Sequence, residues 1–239
     1  MTDGTGRTAL VTGASAGIGA AFAEHLAARG YGLVLTARRA DRLEAVAAGL
    51  RTRFGVTVRV QPADLADPQA PRQLCDALAG GGGIDVLVNN AGYAYRAEIG
   101  AIDVDRMRAM FETNVFGLVD LTNRVVPHLK AQAFGDIVNL ASTSGMKGAP
   151  TATAYAGSKW AVRGISQCWQ SELRPHNIRV TCICPSEVQT EFGGRAGRNN
   201  PNKLYASDIA ATILAGVSLP QRVLWTELAI FATNPWKED

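Results

Sequence analysis

Short apolar runs alternate with longer amphipathic segments along this 239-residue chain, and that alternation limits its fold more than any other feature. TALVT (Thr8–Thr12) reads as a buried strand; GIGAAFAEHLAARG then carries apolar residues at helical spacing, with Gly30 as C-cap. YGLVLTA and ADRLEAVAAGLRTRF repeat the pair, as do VTVRVQPA and QAPRQLCDALAG. IDVLVNN is a fourth strand, followed by a long helical segment over 104–131. DIVNLAS is a fifth strand, 154–173 a helix running into Pro175, and IRVTCICP a sixth strand. Ser207–Asp208 caps a helix through about Val217, and RVLWTELAIF is a last strand. Strands that alternate with helices build a parallel sheet with helices on both faces and right-handed crossovers. The fold class expected is therefore α/β: a doubly wound, mostly seven-stranded parallel sheet in three layers, α/β/α. No composition shift marks a second domain, so residues 1–239 read as one unit, with 80–83 a loop inside it.

Composition removes several functions. Net charge is only +3 and no run of Lys and Arg forms a stripe, which argues against nucleic acid. No apolar stretch reaches the ~18 residues of a membrane span. The N-terminus, MTDGTGRTALVTG, lacks an apolar signal core, so a cytoplasmic protein is expected. Cys75, Cys168, Cys182 and Cys184 form no C-x-x-C pair, so no metal site is expected; Cys182 and Cys184 read as small buried hydrophobes.

The first strand ends in TGASAGIG, with glycines at 13, 17 and 19. Gly13 permits a tight turn out of the strand. Gly17 and Gly19 let backbone approach a pyrophosphate and let helix pack on sheet, while the helix N-terminus offers free N–H groups to an anion. A plain strand–helix turn would not need three glycines in seven residues. The second strand ends in LTARRADRLE, where a ribose-gripping acid would favour NAD. Ala37 and Arg38 stand there instead. Positive charge at a helix start opposes the macrodipole, so Arg38 and Arg39 ask for an anion such as the 2′-phosphate of NADP. NADP(H) is thus expected in preference to NAD(H).

With these motifs in view, the chain resembles the short-chain dehydrogenase/reductase family over nearly its full length, including carbonyl reductases and 3-oxoacyl-acyl-carrier-protein reductases. TGASAGIG is similar to the family's cofactor loop (Gly13, Ser15, Gly17, Ile18, Gly19), and NNAG to its motif after the fourth strand (Asn90, Ala91, Gly92). Asp64, followed by Leu65, matches the acid that meets adenine. Asn114 in ETNVFG, Ser142 in NLASTSG, and Tyr155 with Lys159 in YAGSK match the catalytic tetrad. After the sixth strand the family pattern P-G-x-V-x-T reads PSEVQT: Pro185, Val188 and Thr190 match and Ser186 replaces the glycine. The resemblance implies a Rossmann-like fold and an NADP(H)-dependent oxidoreductase that reduces a ketone or aldehyde to an alcohol. Tyr155 would be the general acid, with Lys159, one helical turn on, lowering its pKa and also bonding the nicotinamide ribose. Ser142 would bond the substrate oxygen, and Asn114 would hold a water linking Lys159 to solvent. Each residue also has a bland reading: Asn114 as a buried amide bonding backbone, Ser142 as a strand-end cap, Tyr155 and Lys159 as one face of a helix.

The sequence says less about substrate. Residues 190–205 read as a short lid over the pocket, and Tyr93, Tyr95, Ser144, Met146 and Phe192 are candidates for its lining. A general carbonyl substrate competes with a 3-oxoacyl group on an acidic acyl carrier protein, which would dock on Arg195, Arg198 and Lys203 with Arg124 or Lys130. A non-enzymatic alternative is an NADP-binding redox sensor. The apolar segment TELAIFATNPW and the family resemblance lead to an expected homodimer or homotetramer.

Overall fold

The computed structural model describes residues 4–79, 83–194 and 200–236. Loop residues 80–82 and the expected docking residues Arg195 and Arg198 lie outside them. The elements follow as β1 (Thr8–Thr12), α1 (Gly17–Ala27), β2 (Gly32–Thr36), α2 (Ala40–Phe54), β3 (Val58–Val60), α3 (Ala70–Ala79) and β4 (Val86–Asn89). Then come α4 (Val104–Phe111), α5 (Gly117–Gln132), β5 (Gly135–Leu140), α6 (Thr153–Leu173) and β6 (Ile178–Pro185). Two-residue strands β7 (Val188–Gln189) and β8 (Leu204–Tyr205) precede α7 (Ala206–Val217) and β9 (Glu227–Ile230). The seven-stranded sheet runs β3-β2-β1-β4-β5-β6-β9, with every neighbouring pair parallel. The chain works outward from β1 to β3, then returns to lay β4 beside β1. Ligands of such sheets bind where the order reverses, beyond the carboxyl ends of β1 and β4.

Both faces of the sheet are covered, which is why its strands read as unbroken apolar runs. On one face Ala9 and Val11 pack under Phe22 and Leu26 of α1, Leu43 of α2 and Ile213 of α7. On the other, Leu10 and Leu87 meet Leu74 of α3 and Leu121 and Leu129 of α5. Each such Leu or Phe contributes roughly 1.5–3 kcal/mol by leaving water. Cys182 and Cys184 are buried, as expected, beside Leu118 and Val162. No helix among the described residues is long and apolar enough to cross a membrane.

The structure departs from the sequence expectations at several ends. The segment expected over 104–131 is helical throughout, but it contains a π turn, Glu112–Phe116, between α4 and α5. Helix α1 ends at Ala27, and Gly30 lies three residues beyond, in the left-handed region at φ 82°, donating its N–H to Ala27 O. Helix α7 starts at Ala206; Asp208 reaches back to accept the Tyr205 N–H at 2.8 Å, so Ser207 is not the cap. Strands β7 and β8 escaped the sequence reading because two residues carry no periodicity.

A buried ion pair ties the far half of the sheet together. Arg179 on β6 donates Nε and Nη2 to the Asp136 carboxylate on β5, at 2.6 and 3.0 Å. Its Nη2 also reaches the carbonyl of Val217 at the end of α7, and its Nη1 those of Leu219 and Val223 beyond it. Breaking such a pair strands a buried charge, here together with several carbonyls. Arg179→Met should therefore lower unfolding free energy by about 3–5 kcal/mol in urea melts, and adding Asp136→Leu should recover much of the loss. An unchanged midpoint for Arg179→Met would refute this role.

Candidate active site

The cleft begins at a clasp between β1 and β4. Thr12 Oγ1 donates to Val88 O at 3.1 Å and accepts the N–H groups of Asn90 and Ala91, each at 2.9 Å. Asn90 Nδ2 returns bonds to Thr12 O at 2.8 Å and Gly13 O at 3.3 Å. The glycine loop is thereby held against β4. A Cβ at Gly13 would sit 2.7 Å from Asn90 Nδ2, and one at Gly19 only 2.5 Å from Gly13 O. Gly19 is thus a packing glycine that does not line the cleft, a correction to its expected cofactor contact.

Beyond the loop, α1 starts without a side-chain cap and without an acid in its first turn. Its orphan N–H groups and positive end suit an anion. Arg38 and Arg39 line the same cleft; Arg39 reaches Ser15 Oγ at 3.2 Å. Arg42 binds Glu191 at 2.8 Å across the mouth. These residues fit a nicotinamide dinucleotide: a donor-rich turn for the pyrophosphate, with cations on the same cleft.

The cleft measures about 860 Å³. Gly13, Ser15, Gly17 and Ile18 line it together with Asp64 and Leu65. Asn90, Ala91 and Gly92 form one wall, and Pro185, Val188 and Thr190 another. Of the expected pocket residues, Tyr93, Ser144 and Phe192 line it. Tyr95 and Met146 do not. Tyr95 is buried, with its hydroxyl accepting Asp103 N–H at 2.8 Å, and Met146 packs against Leu118 and Val162. Ser186, in place of the family glycine, keeps an ordinary backbone and donates its N–H to Ile230 O at 2.8 Å.

Ser142, Tyr155 and Lys159 converge on this cleft from the end of β5 and from α6. Tyr155 is hydrogen-bonded to Ser142, whose Oγ also accepts the Ser144 N–H at 3.1 Å. Lys159 Nζ is buried and donates to Leu140 O at 2.6 Å. Burial raises the Tyr155 hydroxyl pKa, opposed by the Ser142 bond and by Arg96. Lys159 Nζ lies 5.9 Å from the Tyr155 ring centre, the same distance as the Arg96 guanidinium, and burial brings the lysine's own pKa down to about 8. Asn114 is held by its side-chain amide. Its Nδ2 donates to Tyr93 O and Ser158 Oγ, and its Oδ1 accepts Tyr93 N–H, so the amide is a clasp with both donors spent. Ser158 in turn donates to Tyr155 O, which links the clasp to the tyrosine's backbone.

Sequence reasoning missed Thr12, although its place just before the first glycine was a usable signal. It also missed Arg96, for which local sequence offers none. Beneath the site runs an unforeseen polar ladder: Asn89 Nδ2 donates to Thr122 Oγ1 and Asn139 Oδ1, and Asn139 Nδ2 to Ser166 Oγ, all at 2.9 Å.

The chain is similar to known proteins over nearly its whole length. The short chain dehydrogenase family model matches residues 7–201. An uncharacterised oxidoreductase of Staphylococcus saprophyticus is 35% identical over 225 residues, covering 94% of this chain and 96% of the relative. An alcohol dehydrogenase of the archaeon Thermococcus sibiricus, solved with 5-hydroxy-NADP, superposes with a TM-score of 0.90 at 30% identity, covering 98% of this chain and 99% of that one. L-sorbose reductase of Gluconobacter frateurii, solved with NADPH and L-sorbose, gives 0.88 at 27% identity, covering 99% and 100%.

The Lys159 environment has a measurable signature. Its pKa is about 8 when folded, against about 10.4 in an unfolded chain. Between those values the unfolded chain binds more protons, so stability from this group rises with pH; below about 8 the cost of the buried cation is fully present. Lys159→Met removes that cost. Its melting temperature without cofactor should exceed the wild type's at pH 7, and the gap should close toward pH 10. A gap independent of pH would contradict this.

Proposed function

The chain belongs to the short-chain dehydrogenase family, and from that footing we propose that it is an NADP(H)-dependent oxidoreductase reducing a ketone or aldehyde to an alcohol, with Tyr155 as general acid. The observation that carries this reading is one cleft lined both by the uncapped glycine loop and by Ser142, Tyr155 and Lys159. A bound nicotinamide supplies the hydride. The α1 N-terminus with Gly13 and Ser15 would hold its pyrophosphate, and Arg38 with Arg39 the 2′-phosphate. The NADP derivative and NADPH in the two related structures support that preference.

At the reacting end, burial keeps the Tyr155 proton in place at neutral pH. That makes the hydroxyl a proton donor to a carbonyl oxygen on which charge builds. Ser142, already bonded to Tyr155, is placed to donate to the same oxygen. Phe192, 5.8 Å from the Tyr155 ring centre, covers it and limits water. Lys159 below pH 8 is a cation that stabilises the tyrosinate formed after proton transfer.

Of the described docking residues, Arg124 pairs with Asp120 and Lys203 with Glu187, which leaves the exposed Lys130 as the one cation of that set without an ion pair for an acidic carrier protein. A sensor without turnover would have no use for the Tyr155–Ser142 pairing. Assembly into a homodimer or homotetramer is also proposed. Phe116 and Trp160 are 56% and 48% exposed beside α5 and on α6, and Phe231 and Trp236 are 62% and 84% exposed near the end of the chain. Exposed aromatics of this size mark contact surfaces.

Tyr155→Phe should lower kcat for carbonyl reduction by about 10²–10⁴-fold while leaving NADPH binding, read by fluorescence titration, unchanged. Full activity in that variant would eliminate Tyr155 as the acid. NADPH should be the better donor in wild type, and Arg38→Asp should raise its KM by roughly tenfold or more. A better kcat/KM with NADH in wild type would remove the NADP preference.

A further inference from the structure

Arg96 is the one cleft cation that the reading above leaves without a task. Its guanidinium lies 5.9 Å from the Tyr155 ring centre, on the cleft lining. The carboxylates that line the cleft are engaged elsewhere. Glu191 pairs with Arg42, Glu187 with Lys203, and Asp64 accepts the Ala66 N–H. Among the described residues no carboxylate lies within ion-pair distance of Arg96. The other arginines of the cleft, Arg38 and Arg39, stand at the end of β2, and Lys159 is buried against Leu140 O.

The backbone on either side of Arg96 is fixed. Tyr95 is buried, its N–H directed at Met110 Sδ and its hydroxyl bonded to Asp103 N. Ala97 donates its N–H to Thr151 O at 3.0 Å. Thr151 is itself held at φ 62°. That left-handed conformation is costly for a β-branched residue and persists only where the surroundings enforce it. It stands two residues before α6, the helix that carries Tyr155, so the Arg96 loop and the tyrosine are anchored to one strained turn. A planar fork of donors, unpaired, exposed to the cleft and rigidly mounted beside the proton donor, matches a carboxylate.

We propose that Arg96 binds the carboxylate of the substrate, and that the enzyme acts on short oxo acids and their hydroxy-acid counterparts. This rests on the reductase reading above. In the oxidative direction the carbinol C–H yields its hydride to NADP+, the hydroxyl proton passes to the Tyr155 phenolate, and the carboxylate stays intact on Arg96. Arg96 thus selects substrate by charge and sets the distance from that charge to the reacting carbon.

The test uses 2- and 3-hydroxybutyrate, each against its methyl ester, with NADP+ and the full chain. For at least one of these pairs the wild type should favour the acid by about tenfold or more in kcat/KM. Arg96→Gln should lower kcat/KM for that acid by roughly 10–100-fold, mostly through KM, and change the ester less than about twofold. Arg96→Lys should restore part of the loss. Esters favoured in every pair would overturn the proposal, and so would equal losses on acid and ester, which would make Arg96 a modulator of Tyr155. Reduction of neutral ketones by NADPH with no turnover of either acid would overturn it too, while leaving the reductase reading intact. If neither neutral nor anionic compounds react, the reductase reading fails and this inference with it.

Discussion

One threonine hydroxyl makes the cleft possible. Parallel strands β1 and β4 are paired as far as Val11 and Val88, and beyond that pair the ladder no longer sets the distance between their chains. Thr12 Oγ1 settles that distance by donating once and accepting twice across the gap, and Asn90 repeats the connection from the other side. A hydroxyl has one proton and two lone pairs, so Thr12 is fully used. The glycine loop, the open start of α1 and the wall formed by Asn90 to Gly92 all take their positions from this junction.

A second level of order comes from polar groups buried where apolar ones would pack as well. The amide ladder from Asn89 through Asn139 to Ser166 crosses two strands under the site, and the Asn114 clasp joins the β4–α4 loop to α6 through Ser158. Each such group is costly unless paired. They tie loop, sheet and helix into one arrangement: a shift of α6 would break several bonds at once. Ser142 and Tyr155 sit on the two elements so joined.

The architecture was legible in the sequence because strand and helix periods differ and a parallel sheet follows from their alternation. The glycine loop and the Tyr155–Lys159 spacing were legible for the same reason: they are local. What escaped was non-local or conformational. Gly19 looks like its neighbours in sequence, but its lack of a side chain serves packing against Gly13 O. Tyr95 and Met146 have the composition of pocket residues, yet their burial is decided by α4, α6 and the sheet. Arg96, fifty-nine positions earlier, is a second cation at the Tyr155 ring, as near to its centre as Lys159, and four residues of separation could point only to the lysine. A buried lysine with a lowered pKa is also invisible to spacing, since desolvation is a property of the folded interior.

The π turn between α4 and α5 has a consequence for how the protein tolerates change in length. It carries one residue more than an α turn would, about 100° of helical phase. That slip lets Met107, Met110 and Phe111 pack around Tyr95 and Tyr155 while Leu121, Val125 and Leu129 face the sheet. Losing one codon within 112–116 would leave a smoother, continuous helix. It would also swing all of α4 around its axis, taking Asn114 from its clasp and the methionines from the tyrosine. Helix content would register almost nothing, while the bonds of Asn114 to Tyr93 and Ser158 would be lost.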